Sequence, residues 1–158
     1  MSSLPTVTSL RVDSFRNFTD ARGTLVAIEL AQAVSFSPMR IFWITGASTG
    51  ATRGQHGHKR CQQYMVCCEG RVSIDAFDGS DRRSFTLERG QALLIPPLIY
   101  TAETYLTEDS LLLVVCDQPF DKDDYIHSRD ELISVRGQKD ALGPSLGEDD
   151  PAHRSAGR

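Results

Sequence analysis

The chain has no long hydrophobic run. No apolar stretch approaches the roughly 18 residues a membrane-spanning helix needs, so no membrane span is expected. Its start lacks a basic segment followed by an apolar run, the pattern of a secretory signal, so a cytoplasmic protein is expected. Positive charge is not in excess: Lys and Arg number 17 against 21 Asp and Glu, a net charge of −4. That argues against a nucleic-acid-binding surface. No Gly-rich dinucleotide fingerprint is present, so no nicotinamide cofactor is expected. Cysteine is sparse, and Cys61, Cys67, Cys68 and Cys116 form no CxxC pair. Buried, reduced thiols are the expectation. No internal repeat is visible.

What is present fits one globular domain. The 158 residues are 40% hydrophobic and 24% charged, ordinary for a chain that buries a single core. Strand signals dominate. After the turn Asp20-Ala21-Arg22-Gly23, Thr24–Glu29 reads as extended. Arg40–Ile44, Gln63–Cys68, Arg71–Phe77, Ser84–Leu87, Ala92–Ile95, Leu98–Tyr105 and Ser110–Cys116 follow at short intervals. In Arg71–Phe77 the residues Val72, Ile74 and Ala76 fall on one face. Asp78-Gly79 marks a hairpin turn, and Gly46–Gly54 a loop. This rhythm predicts an all-β sandwich or barrel. Asp121–Val135 predicts a short helix with Asp121 as N-cap. The folded domain is expected over 1–136, with 137–158 as a flexible C-terminal tail, because apolar residues become scarce there.

The chemistry concentrates between His56 and Gly70, HGHKRCQQYMVCCEG. This resembles the first motif of cupin β-barrels: His, one residue, His, four residues, Glu, six residues, Gly. Gly90, Pro96 and position 101 match the second motif: Gly, five residues, Pro, and a His five residues past it. Gln63 stands where the motif has Glu, and Thr101 where it has His. Two of four expected metal donors are therefore neutral and weak, so no metal is expected. His56 and His58, two apart, share one face of a strand. In a barrel lumen their pKa values can be tuned for proton transfer. A structural pair or a weak metal site is the plainer alternative. Arg53 and Lys59 flank the pair and suit a phosphorylated or nucleotide-linked ligand; solvated rim charge is the alternative, and the better reading for Arg60. Arg40 either enters the barrel or pairs with a carboxylate. Gln63 is expected on the lumen face, where it can bond sugar hydroxyls or a carbonyl. The Tyr105 phenol is expected to reach the pocket.

Several separated segments resemble one family, the cupin sugar-nucleotide 3,4-ketoisomerases. They are DARGTLVAIE at Asp20–Glu29, then RIFWI, RGQHGHKRCQQ, and PFDKDDYI at Pro119–Ile126. The likeness spans about residues 16–132. Gly57 replaces the usual Ala between the histidines, and Tyr100 stands where Trp is common. The resemblance implies a cupin-type jelly-roll β-barrel, a homodimer in which N-terminal strands can be exchanged, and chemistry without a metal or cofactor. It implies that the carbonyl of dTDP-4-keto-6-deoxyglucose moves from carbon 4 to carbon 3, in deoxysugar biosynthesis. His56 and His58 would move protons through an enediol or enediolate. Arg53, Lys59, Gln63, Arg40 and Tyr105 would bind the substrate. A related 4-keto-sugar epimerase or dehydratase, or a metal-dependent or small-molecule-binding cupin, is the alternative.

Overall fold

A computed structural model describes residues 3–142. It holds twelve strands: β1 (Val12–Ser14), β2 (Asn17–Asp20), β3 (Gly23–Val26), β4 (Arg40–Ile44), β5 (Thr52–His58), β6 (Gln63–Glu69), β7 (Arg71–Phe77), β8 (Arg82–Glu88), β9 (Gln91–Ile95), β10 (Tyr100–Tyr105), β11 (Leu111–Cys116) and β12 (Tyr125–Ile126). Two helices complete it, α1 (Leu30–Ala33) and α2 (Arg129–Leu142). One five-stranded sheet runs β1-β9-β6-β11-β4, and the other runs β12-β5-β10-β7-β8. Every pairing is antiparallel. This is a jelly roll of the cupin type, a flattened barrel whose two sheets do not close onto each other.

The alternation read from the sequence explains the core. Val72, Ile74 and Ala76 of β7 are fully buried, as is Leu87 of β8, and Phe85 of β8 is buried beside them. They pack against Met65, Cys67, Leu93, Leu112 and Val114 of the opposite sheet. The outer face of that opposite sheet is also apolar. Tyr64, Val66 and Val115 there are covered by Val34 and Phe36 from the segment after α1. A sheet buried on both faces shows no alternation, which is why Gln63–Cys68 reads as a continuous apolar run. The turn at Asp78 forms as predicted. Its Oδ1 accepts the N–H groups of Ser80 and Asp81 at 3.0 and 2.9 Å, and its Oδ2 accepts that of Val7 at 2.9 Å.

The C-terminal region differs from the expectation. Asp121 caps only a single 3-10 turn, accepting the Asp123 N–H at 2.9 Å. The chain then extends through β12, which pairs with β5. Helix α2 starts later, where the Ser128 hydroxyl accepts the Glu131 N–H at 3.1 Å, an N-cap. It then passes the boundary set at 137 and continues to Leu142. Leu132 locks it onto Leu98 and Ile126, and Arg136 bonds the carbonyls of Pro5 and Leu98 at 3.0 and 2.8 Å. Gly137 has nothing within 4 Å of where a side chain would sit. Gln, Lys, Ala and Leu beyond it are good helix formers. The rest of the proposed tail lies outside the described residues.

Candidate active site

β5 and β10 build the site through a defect in their pairing. Thr101 faces His56 across the ladder, but Ala102 faces Gly54, so Gln55 is an extra residue on β5. Gly54 and Gln55 both have positive φ, +74° and +58°. Such a bulge re-aims the side chains on either side of it. Here it allows Arg53 and His56, an odd and an even position, to line one cavity. That cavity is about 270 Å³ and is bounded further by Gln63, Met65, Glu103 and Tyr125. A larger concavity of about 730 Å³ lies along the β2–β3 hairpin. Among the described residues its titratable groups, Asp20 and Arg22, are paired with each other at 2.5 Å.

His58 sits behind His56, with ring centroids 5.1 Å apart and planes at 84°. It is buried, and its Nδ1 lies 2.9 Å from Asp124 Oδ2. Asp124 also accepts the backbone N–H of Arg60 at 2.8 Å and of Cys61 at 3.3 Å. With Nδ1–H donated to the carboxylate, the remaining nitrogen Nε2 carries the lone pair. That atom is buried and has no partner. Burial is the main force holding His58 below its ordinary pKa; Asp124 opposes it, while His56 and Arg40 add to it. His56 is also lowered by burial, against a bond to the Gly54 carbonyl. Both rings are therefore neutral near pH 7. Tyr125 closes the cluster, with ring centroids 4.8 Å from His56 and 4.6 Å from His58.

Of the residues singled out in the sequence, Arg53, His56 and Gln63 meet in the cavity, with His58 directly behind. The others are placed elsewhere. Lys59 lies past the inward-facing pair and donates to the Asp123 carbonyl at 2.9 Å. Arg40 is stacked near Phe42 and Phe120 and reaches Cys116 Sγ at 3.6 Å. Cys61 and, with it, Arg40 hold the Cys116 thiol below its ordinary pKa against the effect of burial. Tyr105 points inward as expected but ends in the apolar core. Its hydroxyl is unpartnered, and burial pushes it up to about 12.

Three residues of the site were not foreseen. Asp124 and Tyr125 lie 66 and 67 positions from His58, so only folding brings them near. Glu103 was within reach of the sequence, because alternation on Leu98–Tyr105 puts Thr101, Glu103 and Tyr105 on one face. A carboxylate at an inward position is the signal.

His58, Cys61 and Asp124 each bring one donor atom within 4.8 Å of the others. Two of these donors already satisfy each other through the His58–Asp124 bond.

A jelly roll with two histidines and a bulged strand around a polar cavity defines a cupin-type site. The comparisons give the family. The FdtA model (WxcM-like, C-terminal) matches residues 8–137. The TDP-4-oxo-6-deoxy-alpha-D-glucose-3,4-oxoisomerase of Aneurinibacillus thermoaerophilus is 30% identical over 77% of this chain and 88% of its own. The sugar 3,4-ketoisomerase QdtA of Thermoanaerobacterium thermosaccharolyticum, solved with TDP, superposes with a TM-score of 0.75. It is 28% identical over 84% of this chain and 98% of its own. The TDP-quinovose 3,4-ketoisomerase WlaRB of Campylobacter jejuni gives 0.72 at 26% identity, over 81% and 99%. The chain belongs to the FdtA, WxcM-like C-terminal family and is a sugar 3,4-ketoisomerase.

Proposed function

We propose that the chain isomerises dTDP-4-keto-6-deoxyglucose to the 3-keto sugar, with His56 as the carbon base. The observation that carries this is the neutral His56 in the cavity wall, backed by the buried His58–Asp124 pair at 2.9 Å. His56 removes the proton at carbon 3, next to the ketone. The enediol forms, and the same ring returns the proton at carbon 4. Its lowered pKa leaves it unprotonated and able to start the cycle. His58, fixed by Asp124 in one tautomer, sets the position of His56 and presents a lone pair behind it. Arg53 at the rim offers a charge-assisted contact to the diphosphate, and Gln63 a neutral hydrogen bond to the sugar. QdtA has been solved in complex with TDP, and a histidine-to-asparagine variant of it with TDP-4-keto-6-deoxyglucose. Both support this substrate class. No metal or cofactor is needed for the redox balance, since the carbonyl only changes place. Incubation with dTDP-4-keto-6-deoxyglucose in deuterated water, followed by NMR, should show the carbonyl at carbon 3, with deuterium at carbon 4 in the fraction of turnovers in which the His56 proton exchanges with solvent before it is returned. An unchanged sugar refutes the reading.

The protein is further proposed to act as a cytoplasmic homodimer. The β2–β3 hairpin joins neither five-stranded sheet and leaves Phe18 and Leu25 half or more exposed. The edge strand β4 exposes Ile41 and Trp43. Open edges and apolar faces of this kind need cover, and exchange of the N-terminal hairpin with a second copy would provide it. A monomer in sedimentation at micromolar concentration counts against this.

A further inference from the structure

The isomerisation moves two protons. One travels from carbon 3 to carbon 4. The other must leave the oxygen on carbon 3 and arrive at the oxygen on carbon 4. His58 is poorly placed for the second transfer, because it lies behind His56, 5% exposed, and does not line the cavity.

We propose that Glu103 of β10 is a catalytic acid and base of this site, carrying the proton between the two sugar oxygens. The role rests on the ketoisomerase reading above and names a second reacting group within it. Glu103 is 6% exposed and lines the same cavity as His56, Arg53 and Gln63. Its Oε1 accepts the Thr101 hydroxyl at 2.7 Å, which fixes the rotamer. Its carboxyl packs on Gly54: a Cβ there would lie 2.7 Å from Glu103 Cδ, and closer still to Oε2. The glycine of the β5 bulge therefore makes room for this carboxyl as well as re-aiming His56. Among the described residues no Lys or Arg is ion-paired with Glu103. A carboxyl buried this deeply for packing alone, without a cation, is costly.

The surroundings set its protonation. Burial dominates, while the Thr101 hydroxyl, its own backbone and the more distant Arg53 oppose it; the result is a pKa raised to about 7. The titratable groups facing it are Arg53 and His56 of β5, Tyr105 of β10 and Tyr125 of β12. β4, β6 and β11 bring only non-titratable side chains, among them Phe42, Gln63 and Leu112.

The steps balance. Neutral His56 takes the carbon 3 proton. The C3–H pair becomes the C3=C4 bond, and the C4=O pair takes the proton of Glu103. The enediol results. Glu103, now a carboxylate, removes the proton from the oxygen on carbon 3. That oxygen forms C3=O, and the C3=C4 pair collects the proton from His56 at carbon 4. Both side chains end in their starting state. The active form needs His56 neutral and Glu103 protonated. The rate therefore falls as pH drops through the lowered pKa of His56. It falls again as pH rises through about 7, where Glu103 loses its proton.

The test is Glu103→Gln, with Thr101→Val as a second variant, assayed across pH with dTDP-4-keto-6-deoxyglucose. Glu103→Gln should fold, bind TDP as the wild type does, and lose about 10²–10⁴-fold in kcat with little change in KM. Its residual rate should lack the alkaline limb. Thr101→Val removes a bond that favours the carboxylate, so the limb should move to higher pH. Full turnover by Glu103→Gln, or an alkaline limb that neither variant moves, overturns the role of Glu103 and leaves the ketoisomerase reading standing. A wild type inactive on this substrate defeats that reading, and the role of Glu103 with it.

Discussion

Asp124→Asn is the sharpest probe of how the histidine pair is built. The wild-type carboxylate receives three donors: His58 Nδ1–H at 2.9 Å, Arg60 N–H at 2.8 Å and Cys61 N–H at 3.3 Å. Oδ2 takes the first and third, and Oδ1 the second. Asparagine keeps one acceptor oxygen and turns the other into a donor. The cheaper orientation leaves the oxygen on His58 and Cys61, and sets the new NH₂ against the Arg60 N–H. An orphaned buried N–H costs about 1–3 kcal/mol, and removing the charge weakens the two remaining bonds. The sum is about 2–4 kcal/mol. At about 2–4 °C per kcal/mol for a chain of this size, Tm should fall by roughly 4–16 °C. Turnover should fall further than stability alone requires, by about 10²-fold or more, since the field that orients His58 is lost. Calorimetry and steady-state kinetics measure the two effects. The ¹⁵N spectrum of His58 should show Nδ1 protonated and Nε2 bare near neutral pH in the wild type. A variant with wild-type Tm and turnover, or a His58 with the opposite tautomer, would refute the reasoning.

His56→Asn and His58→Asn should each lose most turnover, on the order of 10²–10⁴-fold, yet fold and bind TDP. The double variant should lose less than the product, because the rings act as one unit; fully multiplicative losses would separate them. Tyr105→Phe removes a buried hydroxyl that has no partner. Stability should stay equal or rise by up to about 1 kcal/mol with turnover intact, and a large loss of turnover would return Tyr105 to the site. Activity should survive EDTA, since Gln63 and Thr101 stand at two donor positions of the metal-binding motif. Loss restored by one divalent ion would instead give a metal role to the His58, Cys61 and Asp124 donors.

Much of this protein was legible in the sequence, and the limits have physical causes. The alternation in Arg71–Phe77, the turn at Asp78 and the run of short strands specify a two-sheet core, because side-chain period and turn chemistry are local properties. The spacing from His56 to Gly70 placed the histidines and Gln63 for the same reason. The short C-terminal helix was legible but its bounds were not, because its start depends on Ser128 and its length on Leu132 docking against Ile126. Lys59, Arg40 and Tyr105 had the right residue types but not the cavity, since direction and depth are set by packing. Only the tertiary structure brought Asp124 onto His58, across 66 positions. It alone inserted Gln55 as a bulge, which turns Arg53 and His56 to one side where strand alternation would have parted them. A strand's period is written in its residues, whereas the register between strands is decided only when the sheets close on a shared core.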